Sequence, residues 1–456
     1  MSKDEYLITD TPLKALTVFA MPMILGSFFQ QIYNMADSVI VGQFVGSSAL
    51  AAVGACAALT NVFICVALGA GVGAGVLVSR YFGAREYGKM KTIVSTSLIS
   101  FLLLSIVLGV FGFFFANSMM SGLQTPADIL DDAVLYLRVY FVGFPFLFMY
   151  NVQASIFNSL GDSKRPLYLL IFSSLLNIAL DMVFVICFHQ GVRGVAVATL
   201  IAQGVSAVLS FFLLMRKLKG YEEEEKYGCY DFGMMRSMVK IAVPSTLQQS
   251  IVHMGILLVQ SVVNSFGSAA IAGYSAGMRI ESLSIVPMLA MGNAMSTFTA
   301  QNIGAGKLDR VKEGYKMCYV TVLTVGAGLC IMYQLFGGAF VSMFLESGGS
   351  TAYSVGVSYV KFLSFFYAFI GLKATTDGLL RGAGDVAAFT AANLVNLSIR
   401  VIVTNVFAPV YGIQVAWMAV PMGWAANYII SFGWYLTGKW KRVKVISADQ
   451  GEKRKN

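Results

Sequence analysis

Apolar runs long enough to cross a bilayer, roughly 20 residues each, alternate with short charged clusters along almost the whole chain. The pattern predicts twelve spans, at 15–44, 50–80, 93–116, 134–158, 166–188, 192–215, 238–264, 275–301, 315–340, 357–381, 387–408 and 413–437. In lipid only helices and closed barrels satisfy their own backbone, and barrel strands would alternate with period two, so these spans are expected to be helices. The fold class expected is therefore an all-α polytopic membrane protein. Several runs exceed the length needed to cross, which predicts tilted or kinked helices.

The second half of the pattern repeats the first. "AMPMILGSFFQQIYNMADSVIVGQFVGSSALAAVG" (20–54) lies over "AVPSTLQQSIVHMGILLVQSVVNSFGSAAIAGYS" (242–275), so that Pro22 falls on Pro244. "SRYFGAREYGK" then matches "AQNIGAGKLDR", and "SLGDSKRP" matches "GAGDVAAF", at a near-constant offset. Six spans per half give both halves the same topology, an arrangement found in transporters with parallel repeats. The organisation expected is an N-terminal lobe at 1–218, a polar connector at 219–236, a C-terminal lobe at 237–445 and a basic tail at 446–456. The "EEEE" run in the connector reads as solvated chain rather than a site.

Composition narrows the class further. A charged fraction of 12% beside 57% hydrophobic residues excludes an ordinary soluble domain. The net charge of +9 would suit nucleic acid, but its distribution argues for topology instead. All Lys and Arg except Arg138, Arg193, Arg279, Lys361, Lys373 and Arg400 fall on one side of the predicted membrane. By the positive-inside rule both termini are cytoplasmic, in a plasma (inner) membrane, with membrane lipids as neighbours and no nucleic-acid partner. The polar start "MSKDEYLITDTP" does not read as a cleavable signal. The six cysteines have no paired spacing and read as small core residues, neither disulfides nor metal ligands.

A charge within a span is costly and is by default a functional candidate. The candidates are Asp37, Asp181, Lys361, Lys373, Asp377 and Arg400. Asp37 and Asp181 each stand seven residues from the outer end of an outward-running span, which places both about 10 Å below the outer surface at 1.5 Å per residue. Gln30, Tyr33, Asn34 and Asp37 follow i, i+3, i+4, i+7 and share one helix face. Asn177 is one turn from Asp181, Thr199 lies on the sixth span, and the fourth carries Tyr136, Tyr140, Phe144, Phe148 and Asn151. Together they predict a chamber, polar at one level and aromatic elsewhere, although buried structural helix contacts would produce similar positions. The second half lacks this pair: Asp37 aligns with Leu258 or Val259, and Asp181 with Arg400. Lys373 and Asp377, at i, i+4, are expected to form an ion pair. "ALGAGVGAGVLVSR" (67–80) has glycines but no following Lys and sits mid-span, so it reads as close helix packing rather than a phosphate loop.

These residues, in this order and twice over, resemble the multidrug and toxic compound extrusion (MATE) family across 12–437: "YNMADSVIVGQFVG", "GSSALAAVG", "SRYFGARE", "LGDSKRP" with "GAGD", and "NIALD". The resemblance implies two pseudo-symmetric six-helix lobes in a V and alternating access. It also implies a cation-coupled antiporter that exports amphipathic, mostly cationic compounds, with H+ or Na+ as the coupling ion and no other cofactor or metal. By the same resemblance Asp37 is the coupling carboxylate, with Asn177, Asp181 and Thr199 as its partners. Gln30, Tyr33 and Asn151 would line the substrate cavity, where the residue pattern also puts Asn34 and Tyr136, and Pro22 marks a bend. The chain departs from members that hold sodium in the C-lobe, since its seventh span offers His253 and no acid; His253, Lys373, Asp377 and Arg400 are the candidates there. A monomer is expected, and enzymatic activity is not, because the only two histidines, His189 and His253, have no carboxylate placed near them in sequence. The rival readings are a flippase for a lipid-linked precursor, which Lys361, Lys373 and Arg400 would favour, and a non-transporting receptor or scaffold.

Overall fold

The computed structural model describes residues 5–222, 228–346 and 350–442. The expected basic tail at 446–456 and most of the glutamate run lie outside the described residues. After a single turn, α1 (Tyr6–Thr9), the first half runs α2 (Pro12–Ile40), α3 (Ser47–Gly83), α4 (Tyr87–Gly122), α5 (Ala127–Ser159), α6 (Lys164–Met182) and α7 (Gly191–Lys219). The second half runs α8 (Phe232–Asn264), α9 (Ser268–Ser284), α10 (Val286–Gly304), α11 (Leu308–Ser342), α12 (Thr351–Ser364), α13 (Tyr367–Gly382), α14 (Val386–Tyr411) and α15 (Gln414–Leu436). By length and composition the described residues hold eleven membrane-crossing segments, or twelve when α12 and α13 count as one span bent by 53°. The all-helical expectation stands.

The bend falls inside the span read at 357–381, and a side chain helps to hold it. Gln334 on α11 donates to the Lys361 carbonyl at 2.7 Å and to Ser364 Oγ at 2.8 Å, offering the backbone a partner outside its own helix. Two other irregularities matter for the site. α2 and α6 both end in π-helical turns, Val41–Val45 and Val183–Cys187, each a few residues beyond an intramembrane acid. Val41, Val185, Val192, Val195 and Ala49 pack into one buried cluster with Tyr136 at its edge. That cluster fixes the ends of α2 and α6 beside α7.

The repeat is visible in the backbone. Gly46 and Gly267 both adopt positive φ ahead of a helix, and Gly161 and Gly384 do so in the paired "GD" motifs. Such angles are costly for any residue with a Cβ. Small residues also set the helix spacing in both halves. A Cβ on Gly69 would lie 2.0 Å from Thr246 Oγ1, and one on Gly75 would lie 2.7 Å from Ser155 Oγ. The glycine-rich stretch of α3 is thus a packing surface against α8 and α5. In the second half, a Cβ on Gly378 would lie 2.1 Å from the Gly292 carbonyl oxygen.

The chain forms two compact units, one of residues 25–246 and the other of 1–24 with 247–456. The divisions between these units fall inside α2 and α8, three residues after Pro22 and Pro244. The connector belongs to the first unit because it docks on α4. Lys91 donates to the Tyr221 carbonyl at 2.7 Å, Ser95 to that of Cys229 at 2.5 Å, and the Asp231 N–H donates to Thr96 Oγ1 at 3.0 Å. Tyr221 is buried and stacks on Tyr87 with centroids 5.1 Å apart.

Candidate functional site

In the unit 25–246 the C-terminal halves of α2 and α6 and the first turns of α7 bring the predicted acids together. The Asp37 and Asp181 carboxyl groups lie close enough to act on each other electrostatically. Asp181 is fully buried and Asp37 half-buried. Neither carboxylate can donate unless it carries a proton, and Oδ1 of each is buried without a donor.

Asn177 ties the three helices at this point. One amide orientation places its nitrogen 2.6 Å from Tyr33 Oη and 3.1 Å from Asp181 Oδ2, while its oxygen accepts from the Thr199 N–H at 3.1 Å. In the other, Tyr33 Oη donates to Asn177 Oδ1 at 2.6 Å and Asn177 Nδ2 donates to Thr199 Oγ1 at 3.3 Å. The first orientation gives Asp181 Oδ2 one donor and leaves Oδ1 without one; the second leaves the carboxylate without the amide. Thr199 Oγ1 also donates to the Val195 carbonyl at 3.0 Å, which anchors it to α7.

The remaining predicted positions divide. Gln30 Nε2 donates to Asn34 Oδ1 at 3.0 Å, so the polar stripe on α2 is internally bonded. Tyr33 and Tyr136 lie within electrostatic reach of both acids, and Tyr136 shares a small hollow with Thr199. Asn151 is not brought to the acids. It lies about 22 Å farther along α5 than Tyr136 at 1.5 Å per residue, and its amide donates to its own helix at the Leu147 carbonyl, 2.8 Å away. Phe144 and Phe148 do not line a chamber; both are fully buried and pack edge to face. Pro22 is a buried position within α2.

A model of the MatE family matches the chain twice, over residues 22–183 and 244–406. The chain belongs to the MATE family. The matched segments begin at Pro22 and Pro244, the same equivalence seen in the internal repeat. Among its relatives, the probable multidrug resistance protein YpnP of Bacillus subtilis is 28% identical over 437 residues, covering 95% of this chain and 97% of that protein. A FAD transporter of Shewanella oneidensis is 25% identical over 356 residues, covering 75% and 76% respectively. The fold is that of a solved MOP superfamily transporter from Pyrococcus furiosus Vc1, with a TM-score of 0.86, 23% identity and coverage of 96% and 98%. Membership of the MATE family places the chain among proteins whose relatives are named for multidrug resistance or transport.

The C-terminal candidates of this MATE protein behave differently from the acids. Lys373 and Asp377 form the expected i, i+4 pair at 3.5 Å. Asp377 is buried and also accepts from Asn393 Nδ2 at 2.9 Å and Ser431 Oγ at 2.7 Å. His253 is exposed on α8 and does not line the cavity that holds Lys373, Asp377 and Arg400. The sequence reading passes over two charged residues of that cavity, Glu281 and Arg381. Glu281 lies inside the eighth predicted span and was findable as an intramembrane acid; its closeness to Arg279 gives it the look of a span end. Arg381, at the end of the tenth span, reads as a loop charge. No group of three or more His, Cys, Asp or Glu placed to hold a metal occurs among the described residues.

Proposed function

We propose that this MATE protein is an antiporter that exports amphipathic organic cations in exchange for H+ or Na+, with Asp37 and Asp181 as the coupling pair. The observation that carries the reading is the closeness of two intramembrane carboxyls, each with a buried Oδ1 that lacks a donor. Two carboxylates so close repel each other unless a proton or cation lies between them. A proton would convert one acid into a donor. Sodium would instead draw on carboxylate oxygens together with Asn177 and Thr199, a set of hard oxygen ligands.

Either ion removes the negative charge that attracts a cationic substrate. Loading also changes what Asn177 meets at Asp181, and through Tyr33 and Thr199 that change reaches α2 and α7. Ion and substrate then bias one element in opposite directions, which is what exchange requires. Gln30, Asn34 and Tyr136 extend the polar surface beside the acids, and Pro22 gives α2 a place to bend. Both termini are cytoplasmic in this reading, the protein works as a monomer among membrane lipids, and the membrane is the plasma membrane.

Ethidium efflux tests the reading in cells expressing the wild type, Asp37→Asn and Asp181→Asn, with the proton and sodium gradients collapsed in turn. The wild type is expected to export, and both variants to fail at equal expression. The gradient whose loss stops export names the ion. Normal export by both variants would make the acids structural and overturn the mechanism.

A further inference from the structure

The unit formed by residues 1–24 and 247–456 holds a half-open cavity of about 400 Å³ among α8, α9, α10, α13, α14 and α15. Five charged side chains line it: Glu281, Lys373, Asp377, Arg381 and Arg400. The acids are already engaged. Asp377 accepts from Asn393, Ser431 and Lys373, while Glu281 accepts from the Tyr359 hydroxyl. Arg381 is held too, donating to Asn293 Oδ1 at 2.7 Å and to Ser296 Oγ at 3.3 Å.

Arg400 differs from these. Glu281 lies within its electrostatic reach, but among the described residues Arg400 has neither a hydrogen-bond nor an ion-pair partner. One turn earlier on α14, Asn396 is 8% exposed, lines the same cavity and has an Oδ1 without a donor. α15 presses on this part of α14 through Gly423, where a Cβ would lie 2.2 Å from Asn396 Oδ1 and 3.0 Å from Arg400 Cγ. The stem of Arg400 is therefore confined while its guanidinium donors remain unmatched. Lys373 adds an ammonium whose contact with Asp377 is loose at 3.5 Å.

The cavity thus offers the donors of the half-buried Arg400, a planar fork suited to carboxylate and phosphate, beside two acceptors without donors, Asn393 Oδ1 and Asn396 Oδ1, so a fitting ligand carries an oxyanion together with a hydroxyl or other donor. We propose that this cavity is an oxyanion site that takes a small organic carboxylate or phosphate, with the anionic group on Arg400, Lys373 beside it and the body of the ligand in the remaining space. The volume lies in the range that encloses drug-sized molecules. The same oxyanion chemistry is available from a soluble compound or from a lipid headgroup. The site is separate from the acidic cluster on α2 and α6 and does not rest on the coupling proposed there.

The test uses the full chain purified in detergent. Carboxyfluorescein binding is followed by anisotropy, inorganic phosphate serves as competitor, and ethidium is the cationic comparator. The wild type binds carboxyfluorescein, Arg400→Gln weakens it by about tenfold or more, as expected for loss of a charge-assisted contact, and Arg400→Lys falls between. Ethidium binding stays unchanged across the series. If Arg400→Gln lowers the thermal midpoint, Arg400→Lys and Lys373→Gln carry the test, each weakening the anion alone. Displacement of the dye by phosphatidylglycerol that depends on Arg400 supports the site with a lipid headgroup as its source; absence of displacement supports it with a soluble anion. Failure of both carboxyfluorescein and phosphate to bind, or equal binding by wild type and Arg400→Gln, overturns the proposal. Ethidium efflux, measured separately, shows whether the export reading fails with it.

Discussion

Asn177 is the residue through which the two acids are joined to the rest of their unit. It is 2% exposed and meets groups from α2, α6 and α7 within 3.3 Å. Asn177→Leu keeps the volume but leaves Tyr33 Oη, Thr199 and Asp181 without the amide. Buried polar groups left unmatched cost about 1–3 kcal/mol each. The expected result is a lower thermal midpoint together with loss of gradient-dependent ethidium efflux. Thr199→Val, which removes one oxygen and keeps the shape, should weaken sodium dependence more than proton dependence if sodium is the ion. Unchanged efflux and stability in Asn177→Leu would show that the amide is incidental to both.

At the scale of helices, close crossings depend on residues without side chains. α10 and α13 meet where the Gly378 Cα faces the Gly292 carbonyl, and a Cβ there would sit 2.1 Å from a backbone oxygen that cannot rotate away. Overpacking of this kind costs about 1–3 kcal/mol. Gly378→Val should therefore lower the midpoint of thermal unfolding in detergent. Gly328, where a Cβ would meet nothing within 4 Å, should accept the same change nearly neutrally. Equal effects at the two sites would refute the packing argument. The prolines act in the opposite sense to the glycines. Each lacks the N–H that would bond four residues back, and Pro22 and Pro244 stand three residues before the points where α2 and α8 pass between compact units.

At the scale of the whole molecule, the first residues of the chain belong with the last half. Asn302 donates to the Leu7 carbonyl at 3.1 Å and Lys307 to that of Ile8 at 3.1 Å, while Arg310 donates to the carbonyls of Leu7 and Asp10. The guanidinium also lies over the Phe298 ring, 5.4 Å from its centre. Arg310→Ala removes donors to two of these carbonyls. Hydrogen exchange should quicken at residues 6–10 and stay unchanged across residues 25–246, the separately compact unit. Equal acceleration in both units would show that the contact supports the whole molecule rather than one part.

Twelve spans, the duplication and the pairing of Asp37 with Asp181 were legible in the sequence because each rests on a local or periodic signal. Apolar runs report the bilayer, repeated motifs report gene-length symmetry, and matching distances from span ends report depth. Other features were not legible. Asn151 shares the polar chemistry of the site, yet only its position along α5 separates it from the acids. Phe144 and Phe148 read as cavity lining until packing buried them. Glu281 and Arg381 gained a setting only when α9, α13 and α14 met around one cavity. The sequence by itself determined which segments enter lipid and which charges go with them, since lipid penalises every unsatisfied polar group along the chain. Which charges find partners, and which are left facing a cavity unmatched as Arg400 is, only the tertiary structure decided, because bonding depends on neighbours that lie far away in sequence.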